Sequence, residues 1–392
     1  MNISENLSVL LIANHYRDDH ASKMSSYRNL DKRASSWNKS LINELMNFNI
    51  NLNIICFYPI YRPYVIHEGN TTFYYLPKIP ILSSRTSLLT RLFVKIISVF
   101  IKPDIIHGIG SEHGYTYSAI KNNIPAIITI HGYLNEISKV DNQSYSINNR
   151  LIREESSSVR HADAVIAINQ YMKNMLINNG VNEEKIIIIP NPINLIFQNN
   201  CANKSKKIDL LMVGTFSKLK NYHLAIQILE ILKDEYNISP SLYIAGMPTK
   251  QSEQYYSDIN KKIKDYKFDN VHLLGILDQN QLKDHYCKSR FLLHLSSFET
   301  DSLVVSEAME CACIPIVNNV SNLKYKVTDS VNGYHINIDN LRESAKTIYQ
   351  LLTSDYSTIY KNHQVNHIRY ISTIDIARKT FELYKAINKK AI

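Results

Sequence analysis

The chain has 392 residues, 45% of them hydrophobic, enough to bury two or three cores of ordinary size. Lys and Arg number 44 against 35 Asp and Glu, a net charge of +9, which favours anionic partners; no nucleic-acid module or dense Lys/Arg cluster accompanies it, so nucleic acid is set aside. Cys56, Cys201, Cys287, Cys311 and Cys313 form no C-x-x-C pair and have no His at zinc spacing, so we expect buried free thiols and no metal.

The amino terminus, MNISENLSVLLIANHYRDDH, lacks a basic n-region, and its apolar stretch Leu7 to Ala13 runs into charge. This pattern predicts no signal peptide and a cytoplasmic protein. Short Val/Ile/Leu runs then recur between helix-length segments: 8–13, 52–58, 104–109, 126–132, 164–169 and 185–190. Runs without polar alternation at this spacing predict a parallel sheet covered on both faces, the doubly wound α/β pattern.

Between 88 and 102 lies a predicted helix stopped by Pro103, too short and too interrupted by Arg91 and Lys95 to span a bilayer. Arg91, Lys95, Ser98 and Lys102 fall on one face and Leu88, Leu92, Phe93, Ile96, Ile97 and Phe100 on the rest. That pattern suits an anionic membrane surface; a packed domain helix with its lysines in water has the same pattern.

Pro190 and Pro192 stop regular structure, and 191–207 reads as an interdomain linker. The rhythm restarts in 209–215, 241–247, 271–277, 290–296 and 314–319. We therefore expect domains over 1–195 and 196–374 facing each other across a cleft, with the last helix, 375–392, crossing back to the first domain. Only 10 glycines occur, and Gly132, Gly214, Gly246 and Gly275 close predicted strands, where backbone turns or approaches a ligand.

In RFLLHLSSFETDSLVVSEAMECACIPIV, a buried strand leads to a loop with Glu299 and then a helix capped by Asp301 or Ser302 and carrying Glu307. Carboxylates there suit sugar hydroxyls, and the helix start suits a phosphate. Taken alone, Glu307 could equally be a local capping or pairing group.

The chain resembles the family four, retaining, GT-B glycosyltransferases, whose E-x7-E element matches Glu299 and Glu307. PDIIHGIG, IPAIITIHGYLNE, HADAVIAINQYMKNMLINNGVNEEKIIIIPNPIN, VGTFSKLKNYHLAIQIL, LYIAGM and VHLLGIL stand in the family's order and spacing, so the resemblance covers nearly the whole chain. It implies a metal-independent transfer from a nucleotide sugar to a glycan or lipid-linked acceptor, with no cofactor. By the same resemblance Glu307 would bind the donor ribose, Glu299 the transferred sugar, and amides near Asp301, Ser302 and Leu303 the sugar or pyrophosphate. Lys220, in the loop that follows Gly214, would hold the diphosphate, and His131 would lie beside the donor sugar, where a satisfied core histidine is the alternative.

Several positions depart from the family. Thr215 stands where an arginine is usual, leaving Lys218 as a substitute cation; Ser302 and Cys313 replace glycines; and the loop after the first strand, residues 13–29, has no glycine. Asn169 stands where a serine is common and is expected to cap the next helix. The family's lipid-linked acceptors imply peripheral attachment to the cytoplasmic membrane face, and surface-polysaccharide or lipopolysaccharide synthesis. A sugar-nucleotide 2-epimerase of the same fold and a non-catalytic nucleotide-sugar binder are the competing readings.

Overall fold

The computed structural model describes residues 7–15, 20, 36–58, 60–77, 86–111, 113–140, 149–198, 201, 205–365 and 372–391. The loop 13–29 therefore lies largely outside the described residues. The chain divides into two compact units, one built from the segments before Lys139, up to Asn194 and beyond Ile371, the other from Leu195 to Tyr370 with 140–146.

The first unit is built on an eight-stranded sheet. Its strands are β1 (Ser8–Ile12), β2 (Asn51–Tyr58), β3 (Tyr64–Glu68), β4 (Thr71–Pro77), β5 (Ile105–Ile109), β6 (Ala126–Ile130), β7 (Ala164–Ala167) and β8 (Ile186–Ile188), in the order β3-β4-β2-β1-β5-β6-β7-β8. All pairings are parallel except β3 with β4. That hairpin was missed by the strand rhythm, although Gly69-Asn70 between β-rich runs is a two-residue hairpin signal and Gly69 has the left-handed φ of +57° such a turn needs.

The inner strands β1, β5, β6 and β7 are buried on both faces because each face is covered. Val9, Leu11, Ile54, Phe73 and Tyr75 pack beneath the helices Ser36–Leu45 and Thr373–Ala391. Leu10, Ile12, Ile55, Ile128 and Ile130 pack under Thr86–Ile101, Tyr115–Ala119, Asn149–His161 and Gln170–Asn178. The C-terminal helix thus contributes Ile376, Ala377, Tyr384 and Ile387 to the first unit's core.

The helix Thr86–Ile101 corrects the face predicted for it. Ser98 is buried and donates to the Val94 carbonyl (2.7 Å), and the Arg91 guanidinium lies over the Tyr117 ring (5.3 Å). Thr90, Val94 and Ile97 are buried along with Ser98. Leu88, Leu92, Ile96, Val99 and Phe100 face water, Phe100 with 81% of its surface exposed. Packing needs only a narrow stripe of this helix, so its wider apolar stripe is left outside.

The second unit has six parallel strands, β9 (Ile208–Val213), β10 (Leu242–Ala245), β11 (Val271–Gly275), β12 (Ser289–His294), β13 (Ile314–Asn318) and β14 (Tyr334–Ile336), ordered β11-β10-β9-β12-β13-β14. The strand rhythm omitted β14, three residues long. The direction of winding reverses between β9 and β12, so the chains leaving their carboxyl ends part there and open a crevice.

The cysteines also differ from expectation. Cys201 and Cys287, 86 residues apart, are joined as a disulfide, and the Cys311 sulfur lies within 4.8 Å of both. Such a separation leaves no local spacing to read. Cys56, Cys311 and Cys313 are free and buried, and burial pushes Cys311 and Cys313 up to about 12, so both stay thiols.

Candidate functional site

The site is built at the carboxyl ends of the second unit's strands. Gly214 (φ +153°) and Gly246 (φ +149°) end β9 and β10 so closely that a Cβ on Gly246 would lie 1.8 Å from the Gly214 carbonyl oxygen. Only glycine permits that approach, and it lets the chain after β9 turn at once into Thr215–Lys220. Tyr222 anchors the turn by donating to the Gly214 carbonyl (2.8 Å).

The loop after β12 is fastened to this turn. The Asn221 amide donates to the Leu295 carbonyl (2.8 Å) and Ser297 Oγ (2.7 Å), and the Ser297 amide donates to the Leu219 carbonyl (2.9 Å). Across this frame Lys220 Nζ forms an ion pair with Glu299 Oε1. Burial alone would raise the Glu299 carboxyl, but the Lys220 charge and the His294 hydrogen bond outweigh it and hold it well below the usual carboxylate range.

His294, which the strand run RFLLHLS contained unremarked, is the buried hub of the loop. Its Nε2 lies 3.0 Å from Glu299 Oε1, 3.1 Å from Ser302 Oγ and 3.3 Å from Ser296 Oγ. Desolvation keeps its pKa below the ordinary histidine value, against the pull of Glu299. A polar residue interrupting an otherwise apolar strand is a signal that the sequence did contain.

Ser302 is the helix cap by position, at φ +59°, but its side chain does not cap the helix. Its hydroxyl faces His294 instead, leaving the first amides of Leu303–Glu310 uncapped by it. Lys326, invisible to motif reading, pins the same loop by donating to the Asp301 carbonyl (2.7 Å), Asp301 Oδ1 (2.7 Å) and the Ser302 carbonyl (3.0 Å). Glu307, on the second turn of that helix, is 8% exposed and accepts from the Tyr286 hydroxyl at 3.3 Å. Burial pushes its carboxyl up to about 7, the Tyr286 hydrogen bond and Lys326 charge only partly opposing it.

Of the site residues read from sequence, Lys220, Glu299, Asp301 and Ser302 are joined in one polar network, with Glu307 on the helix it leads into. Leu303 opens that helix half-buried, and Thr215 and Lys218 are exposed. The second cation at the helix start is Lys326. His131 belongs to the first unit, half-buried beside His107 and Thr129. Asn169 caps Gln170–Asn178, accepting from the Met172 amide at 2.8 Å.

The family model of glycosyl transferases group 1 matches residues 196–369, which hold this whole network, and that of glycosyltransferase family 4 matches residues 39–197. The chain thus carries a group 1 glycosyltransferase domain over 196–369 and a family 4 glycosyltransferase domain over 39–197. A curated relative, an uncharacterized 41.2 kDa protein in the cps region of Klebsiella pneumoniae, is 26% identical over 288 residues, 68% of this chain and 74% of that one. Among solved structures, sucrose-phosphate synthase from Thermosynechococcus elongatus superposes with a TM-score of 0.76 at 18% identity over 97% of this chain and 99% of that one. Anabaena HepE, in complex with UDP and glucose, gives 0.69 at 15% identity, covering 97% and 100%. The fold is therefore GT-B, and this glycosyltransferase carries its polar network where that fold's second sheet changes winding direction.

The geometry at Ser302 yields a prediction. Ser302→Ala and Ser302→Gly both delete the hydroxyl facing His294, but only alanine keeps a Cβ in the left-handed conformation. Chemical denaturation should find the glycine variant more stable than the alanine variant by about 1 kcal/mol. Equal stabilities would show that the loop leaves this conformation at no cost.

Proposed function

We propose that this glycosyltransferase moves a sugar from a nucleotide-sugar donor to a glycan or lipid-linked acceptor, with retention at the anomeric carbon. The observation that carries the reading is the Lys220–Glu299 pair where β9 and β12 diverge, with Glu307 behind it. A diphosphate would draw Lys220 from Glu299, releasing the carboxylate to accept from sugar hydroxyls. The amides opening Leu303–Glu310 and the Lys220 ammonium would take the charge that builds on the leaving diphosphate, a role metals fill elsewhere. Glu307, once ionised, would accept from the ribose hydroxyls, and His131 would attend the transferred sugar.

In the transfer, the bond from the anomeric carbon to the diphosphate oxygen breaks and one to the acceptor oxygen forms on the same face. The acceptor hydroxyl's proton can then pass to the departing diphosphate. HepE was solved with UDP and glucose, and that supports trying UDP-glucose first. The cps-region relative supports a place in surface-polysaccharide assembly.

A panel of UDP-, GDP- and ADP-sugars tests the reading by thermal stabilisation of wild type, Lys220→Ala and Glu307→Gln at pH 8 and pH 6. One donor should raise the melting temperature by roughly 5–10 °C at a hundredfold excess over its Kd. Lys220→Ala should abolish the shift. Wild-type affinity should fall about tenfold from pH 8 to pH 6, because the Glu307 carboxylate that accepts from ribose is lost below its pKa of about 7. Glu307→Gln should be weaker and flat with pH. No stabilisation by any donor would defeat the proposal, binding without turnover would indicate a non-catalytic binder, and acceptor-independent conversion of the donor would indicate an epimerase.

We further propose that the first unit rests on the anionic inner face of the membrane through Thr86–Ile101. Its water-facing stripe of Leu88, Leu92, Ile96, Val99 and Phe100 is bordered by exposed Lys95 and Lys102, the pairing of apolar and basic surface that lipid headgroups favour. Among the described residues no helix is long and apolar enough to cross a membrane. Vesicles containing phosphatidylglycerol should sediment wild type and release Leu92→Ser/Phe100→Ser, while neutral vesicles bind weakly. Equal recovery of both proteins with anionic vesicles would count against this attachment.

A further inference from the structure

Three sulfurs from three separate segments meet inside the second unit. Cys201 lies beyond the short turn Leu195–Gln198, Cys287 is on the helix Gln279–Lys288, and Cys311 closes the helix Leu303–Glu310. All three residues are buried, and their Sγ atoms lie within 4.8 Å of one another. The disulfide uses Cys201 and Cys287; Cys311 stands beside both, its thiol on the Phe197 carbonyl (3.7 Å). Phe197 and Tyr286, both fully buried, pack edge to face with ring centroids 6.0 Å apart, so the surroundings of the cluster are apolar. A disulfide needs two of these sulfurs and leaves the third unexplained.

Three sulfurs this close can surround one ion. Metal–thiolate bonds of about 2.3 Å in a trigonal arrangement set the sulfurs about 4 Å apart, inside the 4.8 Å that the cluster spans. The group has three members among the described residues, where a closed zinc site takes four, and every ligand is soft sulfur, which suits monovalent copper. Thiolate charge in the site would be offset by two lysines. Burial raises the Cys311 thiol, with Cys313 and Glu307 adding to it, while the Lys283 and Lys206 ammoniums oppose it. Lys206 is held at the cluster by donating to the Ala312 carbonyl (2.7 Å), next to Cys311.

We propose that Cys201, Cys287 and Cys311, once reduced, hold one Cu(I) ion in a trithiolate site that is exclusive of the disulfide. A dithiol reductant opens the disulfide: the reductant's two sulfurs close on each other, and their two hydrogens pass to Cys201 and Cys287. Binding then breaks three S–H bonds, forms three Cu–S bonds and releases three protons to water, with copper unchanged in oxidation state. The site lies behind the donor network. The Cys311 amide donates to the Glu307 carbonyl (3.1 Å), and Tyr286, which precedes Cys287, donates to the Glu307 carboxylate (3.3 Å). The copper takes no part in sugar transfer, so the proposal stands apart from the transferase reading.

The test is a titration of the reduced full chain with Cu(I) buffered by a competing chelator, free of oxygen and of any sugar nucleotide. Wild type should take up one equivalent and gain an ultraviolet sulfur-to-copper charge-transfer band. The chain with its disulfide intact keeps one thiol of the group and should compete poorly for the ion. Cys311→Ser should weaken binding by more than about 100-fold, beyond what the loss of an outer contact costs, whereas Cys56→Ser, in the first unit, should leave it unchanged. X-ray absorption at the copper edge of the loaded wild type should count three sulfur neighbours, which decides the matter even if Cys311→Ser fails to fold. No uptake by the reduced wild type, equal affinity in folded Cys311→Ser, or two sulfur neighbours would overturn the proposal. Because no donor is present, its failure is separate from a failure of the transferase reading.

Discussion

The organisation of the second unit depends on a carboxylate held out of water where two strand ends part. Glu299 stays ionised at 13% side-chain exposure because Lys220 meets it from the neighbouring loop, with His294 hydrogen-bonded to the same oxygen. Taking either charge away leaves the other poorly solvated, at a cost well above that of an exposed ion pair. Everything near the pair serves to keep the two loops in register: Gly214 and Gly246 let one turn tightly, Asn221 and Ser297 lace it to the other, and Lys326 holds the far end at Asp301.

The same loop explains how the chain manages without a glycine at 302. A left-handed serine is costly, and its hydroxyl recovers part of that cost by meeting His294, which also supports Glu299. Glycine would give the loop freedom; the serine and histidine give it one arrangement. Glu307 contrasts with Glu299. It has a hydroxyl for company where Glu299 has an ammonium, so burial dominates and its proton is held to about neutrality. Below about pH 7, two carboxylates eight residues apart thus differ in ionisation, which suits one to standing charge and the other to a ligand that brings its own donors.

Strands were the most legible part of the sequence, because buried parallel strands are apolar without alternation and each predicted run contains one. The Tyr64–Pro77 hairpin escaped because its edge position leaves it partly exposed and lower in aliphatic content, with the Gly69-Asn70 turn as the available clue. Glu299 and Glu307 could be singled out as carboxylates on a loop and the helix that follows it, and Lys220 through the family resemblance of its loop. Lys326 and the Cys201–Cys287 link could not, since each depends on segments brought together by folding. The helix Thr86–Ile101 was found but its faces were misassigned: hydrophobic period identifies an amphipathic helix, while the neighbours decide which apolar residues are covered, and here Ser98 went inside and Phe100 did not.

The most direct test of the central interaction is a double-mutant cycle on Lys220→Met and Glu299→Gln, read by chemical denaturation at neutral pH. Each single substitution strands a poorly solvated partner, whereas the double substitution removes both charges. The two losses should therefore fail to add, with a coupling of about 1–3 kcal/mol. Losses that sum to the double variant's within about 0.5 kcal/mol would show that the two loops are held together by something other than this pair.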